Sequence, residues 1–527
     1  MKHIKIIFAI LTSVVLLTSI TSCKKYLDEA FPNPNKPVAV DPDLVLPAVI
    51  SNTARGLFFD SRFLGNYISY WHRTSTGITW ERMGYDPGSD NGGEKWRIHY
   101  WNYGINLLNA IRDGRNSGRP EYAGAGWALF ALSWLQLTDY HGEVILDEAF
   151  KSEQLTFKYN TQDQVYDWVK VCTDSALFYF NQVSSPSDGF ANKGDKYFYS
   201  GNIDRWKKFV YGVKALLYHR YINKSTYSAD SVIKYVNLSF ASAADDAIIK
   251  FDASLAAIST NALNFYGPTR NNLATYRQSK YLIDLMNGAT FFNNTNPADT
   301  VIDPRRAYLF KPAVDGQFRG LPANNGLTGF TTTTQPWNFW GFNSTAAPAG
   351  GIDTGARTFF KNASPYPILT YSWLQFVKAE AALKKGDPAT ARTAYIAGIN
   401  GSFDLLLANG YTGYTPISAS ARSNYINDPV VTPPSITINH IMLQKFVSLW
   451  PYGMEEIWVD LRKFNYDPNI FIGYVPVATL YPDNGGKLVQ RVRPRYNSEY
   501  LWNVSELQKI GAIALDYHTI PVWFTKP

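Results

Sequence analysis

Cys23 is the residue whose chemistry the sequence indicates most directly. It ends a leader that begins with two lysines and continues with an apolar run over residues 6–17. An apolar run this short indicates a secretory leader, because a membrane-spanning helix needs about 20 such residues. The ending Ile20-Thr21-Ser22-Cys23 is typical of a lipobox, in which the thiol is acylated and cleavage then makes the cysteine the first mature residue. The alternative is an ordinary leader with a chance cysteine.

Acylation of Cys23 would decide how the chain meets a membrane. Two or more acyl chains anchor a protein stably, whereas one chain is marginal. No later stretch approaches the roughly 18 consecutive apolar residues of a transmembrane helix, so we expect a body tethered at its N-terminus. The second cysteine, Cys172, would then have no disulfide partner, and we expect it to be a small buried hydrophobic residue. Sites that need two or four cysteines to bind metal are excluded.

Catalytic motifs are absent from the sequence. It has no His-Glu-x-x-His zinc motif, Gly-x-Ser-x-Gly elbow, phosphate-binding loop or dinucleotide fingerprint. The triplet His141-Gly142-Glu143 has the His-x-Glu spacing of zinc deaminases, but no Pro-Cys-x-x-Cys follows it. Glu455 and Glu456 are adjacent on a predicted helix, where consecutive side chains diverge by about 100°, unlike a retaining glycosidase pair. We therefore predict no catalytic residue, metal site or cofactor, although carboxylates from distant segments could still converge.

Aromatic residues are the feature of the composition that suggests ligand binding. The chain has 15 Trp, 35 Tyr and 31 Phe, and many lie in stretches rich in Gly, Asn, Thr and Pro. A flat ring suits the apolar face of a sugar, and also a peptide side chain, while Asn and Asp supply hydrogen bonds. Candidate ligand contacts come from the loops 73–95 and 331–344 and from residue 266: Trp80, Arg82, Tyr85, Tyr266, Trp337, Phe339 and Trp340. The alternative is that these side chains hold long loops on the body of the protein or contact a partner.

Charge and hydrophobicity restrict the class of protein. Hydrophobic residues make up 46% of the chain and charged residues 18%, which indicates a globular protein rather than a disordered one. The formal net charge is +7, but the basic residues are scattered, without a run of five. A nucleic-acid partner is therefore not expected.

Hydrophobic periodicity predicts a mainly α-helical chain. We predict a signal peptide over 1–22, a lipidated tether over 23–42, and a single helical domain over 43–527 with a loop-rich insertion at about 260–360. The periodic segments after the one that starts at Asp43 are 96–111, 127–137, 162–180, 206–221, 230–240, 366–385, 389–407 and 436–464.

One predicted helix pair has the pattern of a helical repeat. Gly386-Asp387-Pro388 would end one helix and begin the next, with glycine in the left-handed position, aspartate as N-cap and proline in the first turn. Small residues at Ala379 and Ala391 would let the helices approach, and Tyr395 would fill the groove between them. This pair resembles a tetratricopeptide repeat, which is stable only when stacked on neighbours. An isolated helical hairpin is the alternative, because no strict 34-residue period is visible.

Ten segments, taken in order, carry a resemblance to a known family: 23–29, 137–150, 159–166, 206–209, 303–305, 367–372, 378–381, 386–387, 444–447 and 455–462. Together they resemble the SusD/RagB family of nutrient-binding outer-membrane lipoproteins, in particular its SusD-like branch. The lipobox cysteine is followed by a short polar segment with acids, as in the family. Glu143 and Ile145 stand where the family frequently has Asp and Pro, which is a mild departure.

The resemblance implies a tetratricopeptide-like helical scaffold with a loop-rich ligand-binding region packed on it. It also implies a lipid-anchored protein, exposed on the outer membrane of a Bacteroidetes-type bacterium. There it would capture oligosaccharide, or alternatively peptide, for a SusC-like TonB-dependent transporter. In the family the C-terminal motifs are scaffold features, so we expect Glu380, Glu456, Asp460 and Arg462 to form ion pairs and packing contacts.

Two other functions remain open from the sequence. A surface-anchored glycosidase or peptidase would need carboxylates that converge in a cleft. A structural lipoprotein would use its helical repeats to hold other proteins. A cleft rimmed by Trp and Tyr would favour the capture function over both.

Overall fold

The computed structural model describes residues 40–90, 92–151, 153–255, 263–264, 266, 273–288, 301–342 and 352–527. The predicted leader and the lipidation site at Cys23 lie outside the described residues, as do parts of the loop-rich insertion. Among the described residues, no helix is long and apolar enough to cross a membrane.

Helices dominate the described part of the chain, which confirms the mainly α-helical fold class. Their bounds are α1 Pro42–Tyr67, α2 Gly93–Arg97, α3 Gly104–Asn116, α4 Pro120–His141, α5 Gln162–Phe180, α6 Ile203–His219, α7 Ala229–Leu238, α8 Lys280–Met286, α9 Arg305–Leu309, α10 Ile352–Gly355, α11 Tyr371–Lys385, α12 Pro388–Ala408, α13 Ala419–Asn427, α14 Ile438–Ser448, α15 Met454–Lys463, α16 Tyr496–Trp502 and α17 Val504–Lys509. A π-helical turn, Ile98–Tyr103, separates α2 from α3.

Strands are short and form two antiparallel pairs among the described residues. Strand β1 (Trp71–Arg73) pairs with β3 (Tyr276–Gln278), and β2 (Ala247–Ile249) pairs with β4 (Tyr366–Leu369). Both pairs join segments that lie far apart in the sequence. The strand pairs therefore hold together loops that are distant in the sequence.

Helices that follow one another in the chain pack side by side. The neighbours with the most extensive packing are α4 with α5, α11 with α12, α3 with α4, and α6 with α7. This serial stacking of helix pairs is the tetratricopeptide-like scaffold that the sequence predicts.

The α11–α12 hairpin has the predicted capping residues. Gly386 ends α11 in the left-handed region at φ +84°. The Asp387 carboxylate accepts the backbone N–H of Thr390 at 3.0 Å, and Pro388 opens α12. These contacts satisfy backbone groups that a helix end leaves unpaired, so the turn is encoded locally.

Close packing between α11 and α12 depends on small residues. Ala379 and Ala391 are fully buried, and so is Tyr395, whose hydroxyl donates to the Val431 carbonyl at 2.6 Å. A Cβ atom at Gly398 would lie 2.9 Å from the Phe376 ring.

Two helical segments predicted from periodicity are interrupted. Residues 366–369 form strand β4, and the helix begins only at Tyr371. The segment 436–464 forms two helices, α14 and α15, separated by a turn that contains Pro451. Proline lacks the N–H that a continuous helix needs, which accounts for the second break.

The C-terminal motifs lie in the core, as the family resemblance implied. Glu380, Glu456, Asp460 and Arg462 are each at most 2% exposed. The three carboxylates pair with buried lysine, arginine and histidine, whereas Arg462 donates to backbone carbonyls and lies 3.7 Å from the Trp458 ring centroid. Cys172 is buried and unpaired, as expected.

Candidate functional site

Three loops meet at the β1–β3 strand pair. Thr74 follows β1 directly; its N–H donates to the Thr275 carbonyl at 2.9 Å, and its own carbonyl accepts from Leu327 at 3.2 Å. The Asn324 side chain accepts the N–H of Gly77 at 2.8 Å. We call the surface formed by residues 73–82, 322–328 and 331–337 the loop face. Its geometry is set by contacts between segments about 250 residues apart.

Glu81 connects two segments of the loop face through hydrogen bonds. Its buried carboxylate accepts the Arg73 N–H at 2.7 Å and the Asn324 N–H at 3.2 Å, and lies 3.3 Å from His72 Nδ1. Protein donors therefore surround both oxygens. This arrangement suits a positioning residue rather than a general acid or base, which would need an oxygen open to substrate.

Arg73 and Trp80 of the loop face form a cationic aromatic cluster with Tyr276 of β3, in which Trp80 and Tyr276 are buried at 9% and 1% exposed. The Trp80 indole N–H donates to the Tyr276 hydroxyl at 3.1 Å. The Arg73 guanidinium lies 5.6 Å from the Trp80 ring centroid and 5.7 Å from that of Tyr276. Burial raises the pKa of Tyr276 to about 12, against the opposing effect of the Arg73 charge.

Arg73 has an unused hydrogen-bond donor. Its Nε atom is buried, and among the described residues it has no hydrogen-bond partner, although the residue itself is partly exposed. An unpaired buried donor costs about 1–3 kcal/mol. Because this N–H has almost no solvent-accessible surface, a ligand oxygen would reach it through a shift of the Arg73 side chain, which would remove that penalty.

Short hydroxyl-bearing side chains cover the rest of the loop face. Ser75, Thr76, Thr328 and residues 331–333 are exposed. Gly326 has φ +55°, and a Cβ atom there would lie 2.8 Å from the Thr74 carbonyl oxygen, so the close approach of the two loops requires glycine. The exposed part of the surface is thus rich in hydroxyl groups.

Arg82 and Tyr85 hold the first loop against the C-terminal segment. Arg82 donates to the Thr479 and Leu480 carbonyls at 3.0 and 2.8 Å. The half-buried Tyr85 ring lies 5.2 Å from the Arg493 guanidinium, and burial raises the pKa of its hydroxyl above the ordinary value. In this structure both residues act mainly as loop anchors.

Trp337 lies partly exposed on the third loop. Its indole N–H donates to the Pro312 carbonyl at 2.7 Å, and Lys311 Nζ lies 3.8 Å from its ring centroid. The loop is fixed to β3 because the buried Arg277 side chain donates to the Pro336 carbonyl at 3.0 Å.

Tyr266, Phe339 and Trp340 pack in the core, where they are 0%, 5% and 1% exposed. Phe339 stacks on Phe360 with ring centroids 4.7 Å apart, and Tyr266 lies 5.0 Å from the same ring. In this structure these three rings offer no open face to a ligand. Their packing favours the alternative that they hold loops on the helical body.

A second concave surface lies between the π-helical turn and α16, and the sequence analysis did not single it out. We call it the aromatic cleft. Its volume is about 570 Å³, and the residues that define it here are Trp96, Arg97, Tyr100, Trp101, Arg495 and Glu499. Trp101 is 80% exposed. The aromatic-rich run over 96–103 was a visible signal, but its helical periodicity led us to interpret it only as a helix.

The carboxylates and histidines considered for catalysis have structural partners. His141 Nδ1 donates towards the Val492 and Arg493 carbonyls, and burial lowers the pKa of the ring to about 3. Glu143 pairs with Arg491, and Glu455 pairs with Lys95 at 2.9 Å. Within the described part of the chain, no cluster of three or more His, Cys, Asp or Glu residues is placed to hold a metal ion.

Comparison with known proteins identifies relatives of this fold. A SusD-like family model, described as starch-binding and associating with the outer membrane, matches residues 34–491. A search of curated protein sequences found no match.

Solved structures match over nearly their whole length. A SusD/RagB family protein from Bacteroides thetaiotaomicron is 20% identical, with a TM-score of 0.67, and the match covers 92% of this chain and 99% of that one. A SusD homolog from Bacteroides uniformis is 18% identical, with a TM-score of 0.66, and the match covers 92% of this chain and 99% of that one. A chitin-binding SusD homolog from Flavobacterium johnsoniae is 17% identical, with a TM-score of 0.63, and the match covers 92% of this chain and 96% of that one.

Proposed function

Because this chain belongs to the SusD-like family, we propose that it is a cell-surface lipoprotein that captures oligosaccharide and delivers it to a SusC-like TonB-dependent transporter. In this proposal the lipid on Cys23 is its only attachment to the outer membrane. The helical scaffold carries the loop face, and the loop face receives the glycan.

The observation that carries the proposal is the cluster of Arg73, Trp80 and Tyr276. It combines a partly exposed guanidinium that has an unpaired Nε donor with two buried rings that support it and with exposed hydroxyl groups on the surrounding loops. A sugar offers the matching groups, since its hydroxyl and ring oxygens accept hydrogen bonds while its C–H face packs on apolar surface. The partly exposed ring of Trp337 is the proposed apolar contact, whereas Trp80 is buried and supports the Arg73 side chain from below.

Glycan is favoured over peptide because hydroxyl-bearing side chains make up most of the exposed loop face. The Glu81 carboxylate there is buried and accepts one backbone N–H on each oxygen, and the exposed groups are mainly hydroxyls. The chitin-binding description of a protein with the same fold supports the same ligand class. Peptide remains the alternative ligand.

The contacts of the Glu81 carboxylate favour a capture role over catalysis. Glycoside hydrolysis needs two carboxyl groups that flank the scissile bond. Glu81 is the buried carboxylate of the loop face, and its oxygens contact two backbone N–H groups and the His72 ring. In this proposal the protein therefore releases its ligand unchanged.

Calorimetry with the full-length protein tests the loop face. The titrants are starch, β-glucan and chitin oligosaccharides together with oligopeptides, and the ligand is analysed afterwards for cleavage. Arg73→Met removes the charge and the Nε donor. Because a hydrogen bond from a charged group contributes about 1.5–3 kcal/mol, we expect affinity to fall by about 10- to 150-fold.

Arg112→Met is the matched control. Arg112 lies on α3 with a side chain that is 60% exposed, and it pairs only with the adjacent Asp113. Its loss should leave affinity unchanged. Equal affinities of wild type and Arg73→Met would refute the assignment of the loop face, and cleaved ligand would favour the glycosidase or peptidase alternative.

The transporter partnership is tested separately by affinity purification of the tagged lipoprotein from detergent-solubilised outer membranes. The proposal expects a large β-barrel TonB-dependent transporter to co-purify in stoichiometric amount. Recovery of the lipoprotein alone from membranes that contain the transporter would contradict it.

A further inference from the structure

We propose that the aromatic cleft is a second saccharide-binding site, separate from the loop face and specific for a neutral sugar unit. The cleft lies between the π-helical turn Ile98–Tyr103 and helix α16. Its volume of about 570 Å³ falls within the range of about 300–1,000 Å³ that is typical of small-molecule sites. A mono- or disaccharide unit fits a space of this size.

The π-helical turn presents one fixed ring and one free ring. Tyr100 is held in place because its hydroxyl donates to the Ile145 carbonyl at 2.7 Å and its ring lies 4.9 Å from Trp96. Trp101, the next residue, is 80% exposed. An indole held at the mouth of a cleft is suited to stack on the apolar face of a sugar.

Helix α16 adds a second exposed indole beside the cleft. Ser498 and Glu499 line the cleft, and Trp502 follows them by four and three residues. Residues at these spacings lie on the same face of a helix. Trp502 is 75% exposed and lies outside the residues that line the cleft, on the same side of α16 as Ser498 and Glu499.

Two arginines in the cleft have neutralising partners and unused donors. Arg97 makes a bidentate contact with Glu94 at 3.0 and 2.8 Å, and Arg495 donates to Asp90 at 3.1 and 3.0 Å. These bonds use Nε and Nη2. Among the described residues, neither Nη1 has a hydrogen-bond partner, so each guanidinium can still donate to a ligand oxygen.

Glu499 is the only carboxylate among the residues that line this cleft. It accepts from the Tyr159 hydroxyl at 2.6 Å, the Asn503 amide at 2.9 Å and the Ser498 hydroxyl at 3.1 Å. A single carboxylate held in this way does not supply the acid and base pair of a glycosidase. The cleft is therefore built to bind and not to hydrolyse.

The charge balance of the cleft selects a neutral ligand. Arg97 and Arg495 are each offset by one carboxylate, and Glu499 adds a further negative charge, so an anionic ligand gains no net attraction. A purely apolar side chain would bury the two Nη1 groups without partners, which is unfavourable. A sugar satisfies both conditions, because its hydroxyls accept from Nη1 while its C–H face stacks on Trp101.

The test measures saccharide binding to the full-length protein by calorimetry and by iodide quenching of tryptophan fluorescence. The probes are neutral glucose and N-acetylglucosamine oligomers, a uronic-acid oligomer and a Trp-containing dipeptide. We expect the neutral oligomers to protect an exposed tryptophan from iodide. Trp101→Ala should abolish that protection and weaken binding at this site by about 2- to 12-fold, as expected for one stacked ring.

Phe178→Ala is the matched control, since Phe178 is a 62% exposed aromatic residue on α5, outside the cleft. Arg495→Met is the second cleft variant and should also weaken binding. Because Trp101 is exposed, its replacement should leave the melting temperature unchanged, which separates loss of the site from loss of the fold.

The variants test the aromatic cleft and the loop face separately. If Trp101→Ala weakens binding and Arg73→Met does not, the cleft is supported and the loop-face assignment falls. If neutral saccharides bind Trp101→Ala and Arg495→Met as they bind wild type, or bind nowhere, the cleft proposal is overturned. Preference of the cleft for the uronic-acid oligomer or the dipeptide would overturn it as well.

Discussion

Replacing Lys445 by methionine should destabilise the fold by breaking its buried charge network. Lys445 Nζ lies 2.7 Å from Glu456 and 2.8 Å from Asp460, and all three side chains are at most 1% exposed. Methionine has a similar length but no charge. Glu456 would keep Arg220 and Asp460 would keep Lys463, so each carboxylate would lose one of its two cations.

The expected magnitude follows from the burial of the network. Removing one partner of a buried ion pair costs about 3–5 kcal/mol, and the remaining cations place this case near the lower end, at about 3 kcal/mol. Since the entropy of unfolding is about 2.1 cal/mol/K per residue, a chain of this length changes by about 1 kcal/mol/K. The melting temperature should therefore fall by about 3 °C.

Differential scanning calorimetry measures this shift, with Lys385→Met as the matched control. Lys385 pairs with Asp230 at the surface, where the two side chains are 46% and 74% exposed. Such pairs contribute about 0–1 kcal/mol, so the control should shift by less than about 1 °C. Equal shifts for the two variants would refute the reasoning that burial makes the Lys445 pairs important.

Two further predictions concern packing and pH. Gly398→Ala should lower the melting temperature by about 1–3 °C, because its Cβ would lie 2.9 Å from the Phe376 ring and overpacking costs about 1–3 kcal/mol; calorimetry should find part of the loss restored by Phe376→Leu, and an undiminished stability would contradict the packing. Burial lowers the folded-state pKa of His141 to about 3, so its stabilising contribution is present above the unfolded pKa of about 6.5 and is lost as pH falls. The advantage of wild type over His141→Gln should thus shrink by about 1.4 kcal/mol per pH unit between about pH 6 and 4, and a constant difference in melting temperature would contradict this.

Helix positions and caps could be predicted because they depend on neighbouring residues. Helix α5 has the predicted bounds, Gln162–Phe180, and it begins with a capping box formed by Thr161 and Gln164. The conformation of the Gly386–Pro388 turn is likewise determined by its own residues. Periodicity was wrong where a tertiary contact decided the backbone: residues 366–369 had helical spacing but pair with β2 across more than a hundred residues.

The candidate sites could be predicted only in part from the sequence. Loops 73–95 and 331–344 were identified from their composition, and both contribute to the loop face. The composition could not separate Trp340, which is 1% exposed, from Trp101, which is 80% exposed. Both lie in aromatic-rich runs, and their difference comes from the elements that pack against them.

The sequence by itself determined the helical class and the local turns, because hydrophobic spacing and capping act within one or two helical turns. The family was indicated separately, by the resemblance of its ordered motifs. Only the tertiary structure decided which rings face solvent and which donors stay unpaired. Arg73 keeps an unused Nε because β3 and the Asn324 loop, both about 200 residues or more away in the chain, fix its surroundings. The aromatic cleft likewise exists only where the π-helical turn meets α16, almost 400 residues later. Exposure depends on such distant neighbours, and no local pattern records them.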